Sequence, residues 1–457
     1  MIKFLLVIFY VILPKLHARD PLSSSTDSNY FEQNKLVIFL FFYGFFVLLA
    51  VTIFILRKYL KAKSNARSSA IQYTEVNGEE PCISISVAKN LVSPRDDLVV
   101  RLTKNEISYE EYQQKFEIDP TNLKVFKKRP LGEGHFGRVE QGALKKGTDI
   151  LMVAVKRSHQ PDDEKERRLF LAELTVMCAL EKHSNLLCLV GGVTTSEPNQ
   201  IVLELIDGFD LKKYMEESRR KFEDLKTWIE ADSETRNSEK FANQQICLSS
   251  DLNELSTFDL ISFAYQIANG MKYLASVPCV HRDLALRNVL VDRDGTVRIA
   301  DFGLSRKYMN KDYYRPEGED GDQPWLWMAP EAFEENRFNE KSDIFSYGIC
   351  LYELFSLGED PIIDNIRRPF WKTGRHKYLP LPDYSTARIY DLMKMCWKMD
   401  PSARPNFSWC LELVEGELKI CSNNNKIFND VEKRLDKVDQ KHRELESWIA
   451  NDQSFQK

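Results

Sequence analysis

The first 81 residues contain no cysteine, and no Asn-X-Ser/Thr sequence precedes residue 36. Disulfides and glycans are therefore both excluded as supports for an N-terminal fold. The nine cysteines run from Cys82 to Cys421 and form no Cys-X-X-Cys pair, which removes the common zinc and redox signatures. The net charge is only −5 and no basic stripe is present, so nucleic acid is not an expected partner. No internal repeat is found. Tyrosine is missing from residues 216–256 and from everything beyond Tyr390. Charge is missing from Leu36 to Leu56.

That last absence is a positive signal. Twenty-one uncharged residues at about 1.5 Å each cover roughly 30 Å, the thickness of bilayer hydrocarbon. Arg57, Lys58, Lys61, Lys63 and Arg67 follow without an acid among them, which places that side in the cytoplasm. Lys3 followed by the apolar run Phe4 to Leu13 reads as a signal peptide over residues 1–18, with Leu16 a poor residue for cleavage after Ala18. Residues 19–35 are then extracellular, 36–56 a transmembrane helix and 57–118 a juxtamembrane region. An outside segment this short cannot bury a core of its own.

The densest chemistry lies further on. Asp283 sits five residues before Asn288 in His281-Arg282-Asp283-Leu284-Ala285-Leu286-Arg287-Asn288, and Asp301-Phe302-Gly303 begins thirteen residues later. Upstream, Gly132, Glu133, Gly134 and Gly137 follow Leu131, and Val139 comes two residues after the last glycine. Such a loop lets backbone N–H groups approach phosphate, although alone it fits a dinucleotide site or a plain hairpin equally well. Val153-Ala154-Val155-Lys156 reads as a strand ending in lysine. Glu173 lies 17 residues beyond, in the apolar helical run Leu169 to Met177, where a buried carboxylate could orient that lysine. Aspartates and asparagines often serve turns, but turn chemistry does not explain this spacing. The order and separations describe phosphoryl transfer: phosphates held in line with an acceptor hydroxyl while charge is neutralised.

With these motifs together, the chain resembles a receptor-type protein tyrosine kinase, with residues 119–418 as the catalytic domain. The resemblance implies an α+β, bilobal protein kinase fold: a small antiparallel β lobe with one key helix, a larger helical lobe, and ATP between them. It implies Asp283 as proton acceptor, with Lys156, Glu173 and Arg287 as further catalytic residues. Asn288 and Asp301 would hold Mg2+. Leu203 would stand at the back of the adenine site, with the backbone of Glu204 and Leu205-Ile206 at its edge and Val139, Ala154 and Leu290 as walls. Glu331 and Arg404 would form a buried structural ion pair. Ala285, Arg287, Pro324 and Trp327 resemble tyrosine-specific rather than serine/threonine-specific kinases. A pseudokinase scaffold partnering an active kinase is the other alternative.

Several residues depart from the family pattern. Leu286 and Leu326 replace a small and a basic residue and bear on substrate preference. Phe345 replaces a tryptophan. Phe209 occupies a glycine slot after the hinge, with Gly208 beside it. Tyr308, Tyr313 and Tyr314 fall in a charged segment matching activation loops, where trans-phosphorylation would require self-association and Arg282 would receive the phosphate, with Arg306 and Lys307 as further candidates. Residues 216–256 read as a kinase insert. Phosphotyrosine docking would fall to Tyr73, Tyr109 and Tyr112. In the tail, 419–457, the stripe Phe428, Val431, Leu435, Val438, His442, Leu445, Ile449 fits an amphipathic helix docked on the large lobe or a short coiled coil. Protein substrates and a possible co-receptor complete the expected partners.

Overall fold

The computed structural model describes residues 109–134, 137–158, 162–231, 248, 255–307, 324–363, 367–373, 378–420 and 425–450. The signal peptide, the extracellular segment, the 36–56 span, Tyr73 and the three activation-loop tyrosines lie outside the described residues. Among the described residues no helix is long and apolar enough to cross a membrane.

The small lobe opens with α1 (Tyr109–Lys115) and continues through β1 (Leu123–Gly134), β2 (Gly137–Lys146) and β3 (Asp149–Arg157). Next come α2 (Glu164–Cys178), β4 (Leu189–Val193) and β5 (Gln200–Glu204). The strands form one antiparallel sheet in the order β1-β2-β3-β5-β4. In β3 every residue from Val153 to Lys156 is buried. Alternation sends Ala154 and Lys156 to one face and Val153 and Val155 to the other. Helix α2 starts where the Asp163 carboxylate accepts from Glu166 N at 2.9 Å. Its Phe170, Leu171, Leu174 and Met177 pack into the core beside the sheet.

The large lobe follows with β6 (Gly208–Asp210), α3 (Leu211–Ser218), α4 (Lys226–Glu230), α5 (Thr257–Ser276) and β7 (Cys279–Val280). Then come β8 (Val289–Asp292), β9 (Val297–Ile299), β10 (Arg306–Lys307), α6 (Pro330–Glu335) and α7 (Glu340–Phe355). The last helices are α8 (Ala387–Cys396), α9 (Phe407–Ile420) and α10 (Lys426–Ala450). Helices α5 and α7 run through the centre and are buried along most of their length. Asn339 caps α7, its side-chain oxygen accepting from Lys341 N at 3.0 Å.

Three expectations change. Residues 216–231 are not a free insert: Trp228 meets Phe258 edge-on at 5.5 Å and Phe222 meets Tyr384 at 4.6 Å. The apolar Leu225, Trp228 and Ile229, scattered among charges, belong to the large-lobe core. Tyr112 is not displayed for docking. It is 0 % exposed, and α1 carries it into the small lobe against Gly192 and Leu174. The C-terminal stripe is turned inward over its whole length. Val431, Leu435, Val438 and His442 are buried on the kinase body, while Leu445 and Ile449 reach the small lobe rather than the large one.

Candidate active site

The site lies between the lobes, where a cleft of about 310 Å³ is lined from above by Leu131, Gly132, Gly137, Val139, Ala154 and Lys156. From below come Arg287, Asn288, Leu290 and Asp301, and Leu203, Glu204 and Leu205 close the rear. Glu133 and Gly134 are in the β1–β2 pairing, opposite Arg138 and Gly137. Gly137 has φ 151°, and a Cβ there would stand 2.3 Å from Arg157 O, so no other residue fits this turn.

Lys156 is the electrostatic centre. Its Nζ donates to both Glu173 oxygens, at 2.6 and 2.7 Å, and to Asp301 Oδ1 at 3.1 Å. Burial would lower the lysine pKa, but the two carboxylates overcome it and hold the ammonium well above its usual range. Burial would likewise raise Asp301. The Lys156 charge and hydrogen bond reverse this and keep the carboxyl below its ordinary value.

The loop carrying Asp283 is held from beneath. Asp343 of α7 accepts from His281 N at 2.8 Å and Arg282 N at 3.0 Å. Those bonds hold Arg282 at φ 71°, and Asp301 sits at φ 61°. Left-handed conformations at non-glycine residues cost about 1–3 kcal/mol each and persist only where the surroundings fix them. Burial pushes the Asp343 carboxyl up to about 7 against its two N–H donors. His281 is fully buried and its pKa is pushed down to about 4 by burial, so the ring is neutral. A proton on Nε2 lets it donate to Ala300 O at 3.1 Å while Nδ1 accepts from Asp283 N at 3.3 Å. The ring thus ties the loop to the strand leading into Asp301.

Asp283 pairs with Arg287, four residues on, across the loop that leads into the short helical turn Leu286–Asn288. Burial raises its carboxyl to about 6, and the Arg287 guanidinium limits the rise. Asn288 donates from Nδ2 to Asp283 O at 2.7 Å, which leaves its amide oxygen for the cleft it lines. Among the described residues no three His, Cys, Asp or Glu side chains gather as a metal site of their own. Two hard oxygens lining this cleft, from Asn288 and Asp301, suit magnesium, which keeps water and phosphate oxygens as its other ligands.

Beside Asp283 is an aromatic platform. The Arg287 guanidinium lies 4.4 Å from the Trp327 ring centroid. Trp327 Nε1 donates to Glu353 Oε2 at 2.8 Å, and Leu286 N donates to the same oxygen at 3.1 Å. Glu353 is completely buried, and burial lifts its carboxyl to about 7. This residue was missed in the sequence, although an acid inside Ile349 to Phe355 carries the same signal as Glu173. Leu286 is fully buried and packs in the core, whereas Leu326, 8 % exposed, lines the depression beside Arg287 and Trp327. Phe345 stacks on Phe370 at 5.9 Å. Gly208 is required where it stands, because a Cβ would meet Val291 O at 1.8 Å; Phe209 then projects at the cleft mouth, 43 % exposed. Arg404 makes a two-pronged pair with Glu331 at 2.6 and 2.9 Å. Arg282 is buried, donating to Leu304 O at 3.0 Å with its guanidinium 4.4 Å from Phe338.

Comparison with known proteins agrees with this geometry. Residues 125–414 match the family described as protein tyrosine and serine/threonine kinase. The chain is 35 % identical to the tyrosine-protein kinase receptor old-1 of Caenorhabditis elegans, over 95 % of this chain and 92 % of that protein. It is 34 % identical to the receptor-like tyrosine-protein kinase kin-15 of the same organism, over 95 % and 93 %. This chain belongs to the receptor-type protein tyrosine kinases. A more distant match, 34 % identical over 65 % of the chain, is the fibroblast growth factor receptor 1 of Xenopus laevis, of which 35 % is covered. The fold is that of a protein kinase, with a sheet-rich small lobe and a helical large one. The enzyme phosphorylates tyrosine, and neither the scaffold nor the serine/threonine alternative finds support in these relatives.

Proposed function

We propose that this tyrosine kinase works from the plasma membrane, with residues 36–56 as its single span and the kinase domain in the cytoplasm. Asp283 accepts the proton of the tyrosyl hydroxyl. Its raised carboxyl supports this role, because a base titrating near 6 is both ionised at neutral pH and basic enough to draw the proton. Lys156 steadies the nucleotide phosphates and Glu173 keeps it aimed at them. Arg287 and Trp327 set the height at which a phenol, longer than a serine side chain, meets Asp283. Asn288 and Asp301 would hold Mg2+, which supplies charge neutralisation at the transferring phosphate. The adenine would lie between Val139 and Ala154 on one side and Leu290 on the other, in front of Leu203.

The single observation carrying this reading is the Lys156 bridge to both Glu173 and Asp301. It joins the small-lobe helix, the small-lobe sheet and the large lobe at one ammonium group. Titrating Mg-ATP onto the full chain, with and without Asp301→Asn, tests the assignment: the variant should lose magnesium-dependent binding and keep weak metal-free binding. Equal magnesium dependence in both would remove Asp301 from the metal site. For topology, protease added outside sealed vesicles or cells should spare the kinase domain. Tyr313 and Tyr314 act as trans-phosphorylated switch residues, with Tyr308 secondary, which requires two chains to meet; a co-receptor could bring them together.

A further inference from the structure

Helix α10 crosses from one lobe to the other behind the hinge. At 25 residues it is about 37 Å long. Its first half grips the large lobe: Ile427 and Val431 are fully buried, and Glu432 accepts from Tyr265 Oη at 3.0 Å. Its last turns grip the small lobe. Trp448 and Ile449 pack on a cluster that includes Val153 and Val155. Those valines lie on the reverse face of β3, alternating with Ala154 and Lys156, which face the cleft. Lys146 of β2 donates to Trp448 O and, at 3.0 Å, to Ile449 O, and its ammonium lies 4.9 Å from the Trp448 ring. The lysine thereby caps carbonyls that the end of a helix leaves without partners, and its charge complements the helix dipole.

The middle of the helix touches the hinge itself. His442, 4 % exposed, has Nε2 at 3.3 Å from Glu204 Oε1. Glu204 ends β5, and its carboxylate also accepts from Cys188 N at 2.8 Å and lies 3.8 Å from Arg298 Nε of β9. Small-lobe sheet, large-lobe hairpin and C-terminal helix therefore meet at one carboxylate. The same structure holds Lys156 on Glu173 and Asp301, so helix docking and an assembled cleft occur together.

We propose that α10 is an interlobe splint that holds the assembled cleft, and that His442 and Trp448 are positioning residues for phosphoryl transfer. Neither touches the nucleotide site. His442 acts through Glu204 on the hinge, and Trp448 acts through Val153 and Val155 on the strand presenting Lys156. The inference rests on the kinase reading of the cleft, and the unsubstituted chain separates the two: if it fails to phosphorylate tyrosyl peptide, that reading has failed first.

The test uses the full chain in detergent or nanodiscs, assayed well below its melting temperature. Trp448→Ala should lower kcat/KM for ATP at least tenfold and leave KM for the peptide within about twofold. His442→Ala should do the same more weakly, and His442→Gln, which can still donate to Glu204, should restore most of the loss. Amides of residues 204–207 should exchange with deuterium faster in both alanine variants. A helix that merely adds stability would lower the melting temperature and leave these ratios intact; that result overturns the proposal. So does a rise in kcat/KM, which would make the helix a brake. Should Trp448→Ala aggregate, the His442 pair decides alone: equal activity of His442→Ala, His442→Gln and the unsubstituted chain overturns it.

Discussion

Replacing Asp283 by asparagine separates catalysis from stability, because the structure sets them against each other. The carboxyl is raised from 3.8 to about 6, principally by burial. Below pH 3.8 the group is protonated in both folded and unfolded chains and costs nothing. Between 3.8 and 6 the unfolded chain ionises first, so folding stability falls, and above 6 the whole cost is present. At about 1.4 kcal/mol per pH unit, keeping Asp283 ionised at neutral pH costs the folded domain about 3 kcal/mol. Asparagine keeps the shape and removes the charge; the ion pair with Arg287, whose side chain is 36 % exposed, is already counted in the limited rise of the carboxyl. The net expectation is a gain of up to about 3 kcal/mol at pH 7 and a melting temperature a few degrees higher. That gain should vanish as the pH is lowered towards 4. Turnover should fall by at least 100-fold, the contribution of a positioned proton acceptor. In the unsubstituted enzyme kcat/KM should fall below about pH 6, and Arg287→Gln should move that limb to higher pH, since the guanidinium favours the charged carboxylate. Urea unfolding at pH 4 and 7, beside peptide phosphorylation rates, reads all of this. A variant less stable at pH 7, or one that keeps its rate, would refute the reasoning.

Three further outcomes follow from the same geometry. Glu173→Gln removes one of two carboxylates on a buried lysine; unfolding should show a loss near 3 kcal/mol, and kcat/KM for ATP should fall with it. Arg404→Ala strands Glu331 and should cost about 3–5 kcal/mol by the same measurement, yet leave kcat unchanged in the cold, because that pair is remote from the cleft. Replacing Tyr313 and Tyr314 together by phenylalanine should hold the purified chain in a low-activity state that preincubation with Mg-ATP does not relieve; full activity would show that neither is a switch.

The groups proposed for catalysis were legible because they sit in short local runs. Lys156, Asp283, Asn288 and Asp301 are each marked by their neighbours, and Glu173 by an apolar helix that leaves an acid nowhere to go but a partner. Glu353 carries the same mark but no motif, and its bonds to Trp327 and Leu286 come from segments far apart in the chain. Tyr112 gave no local sign of burial, since what covers it is the distant Gly192 edge of the sheet. The C-terminal stripe showed that one face of α10 is apolar. Periodicity defines a face and not its cover, so the crossing to the small lobe, and Lys146 at the helix end, emerged only from the packing. Residues 216–231 were misread for a related reason: three core side chains are diluted by many charges, and composition averaged over that window hides them.

The central claim is that one cleft joins Lys156, Asp283, Asn288 and Asp301 into a tyrosine-phosphorylating site. The most direct measurement incubates the full chain and its Asp283→Asn variant with labelled ATP, magnesium and a tyrosyl peptide, then identifies the phosphorylated amino acid. The account predicts phosphotyrosine, dependent on magnesium and at least 100-fold slower in the variant. Label on serine or threonine, or equal label with both chains, would contradict it.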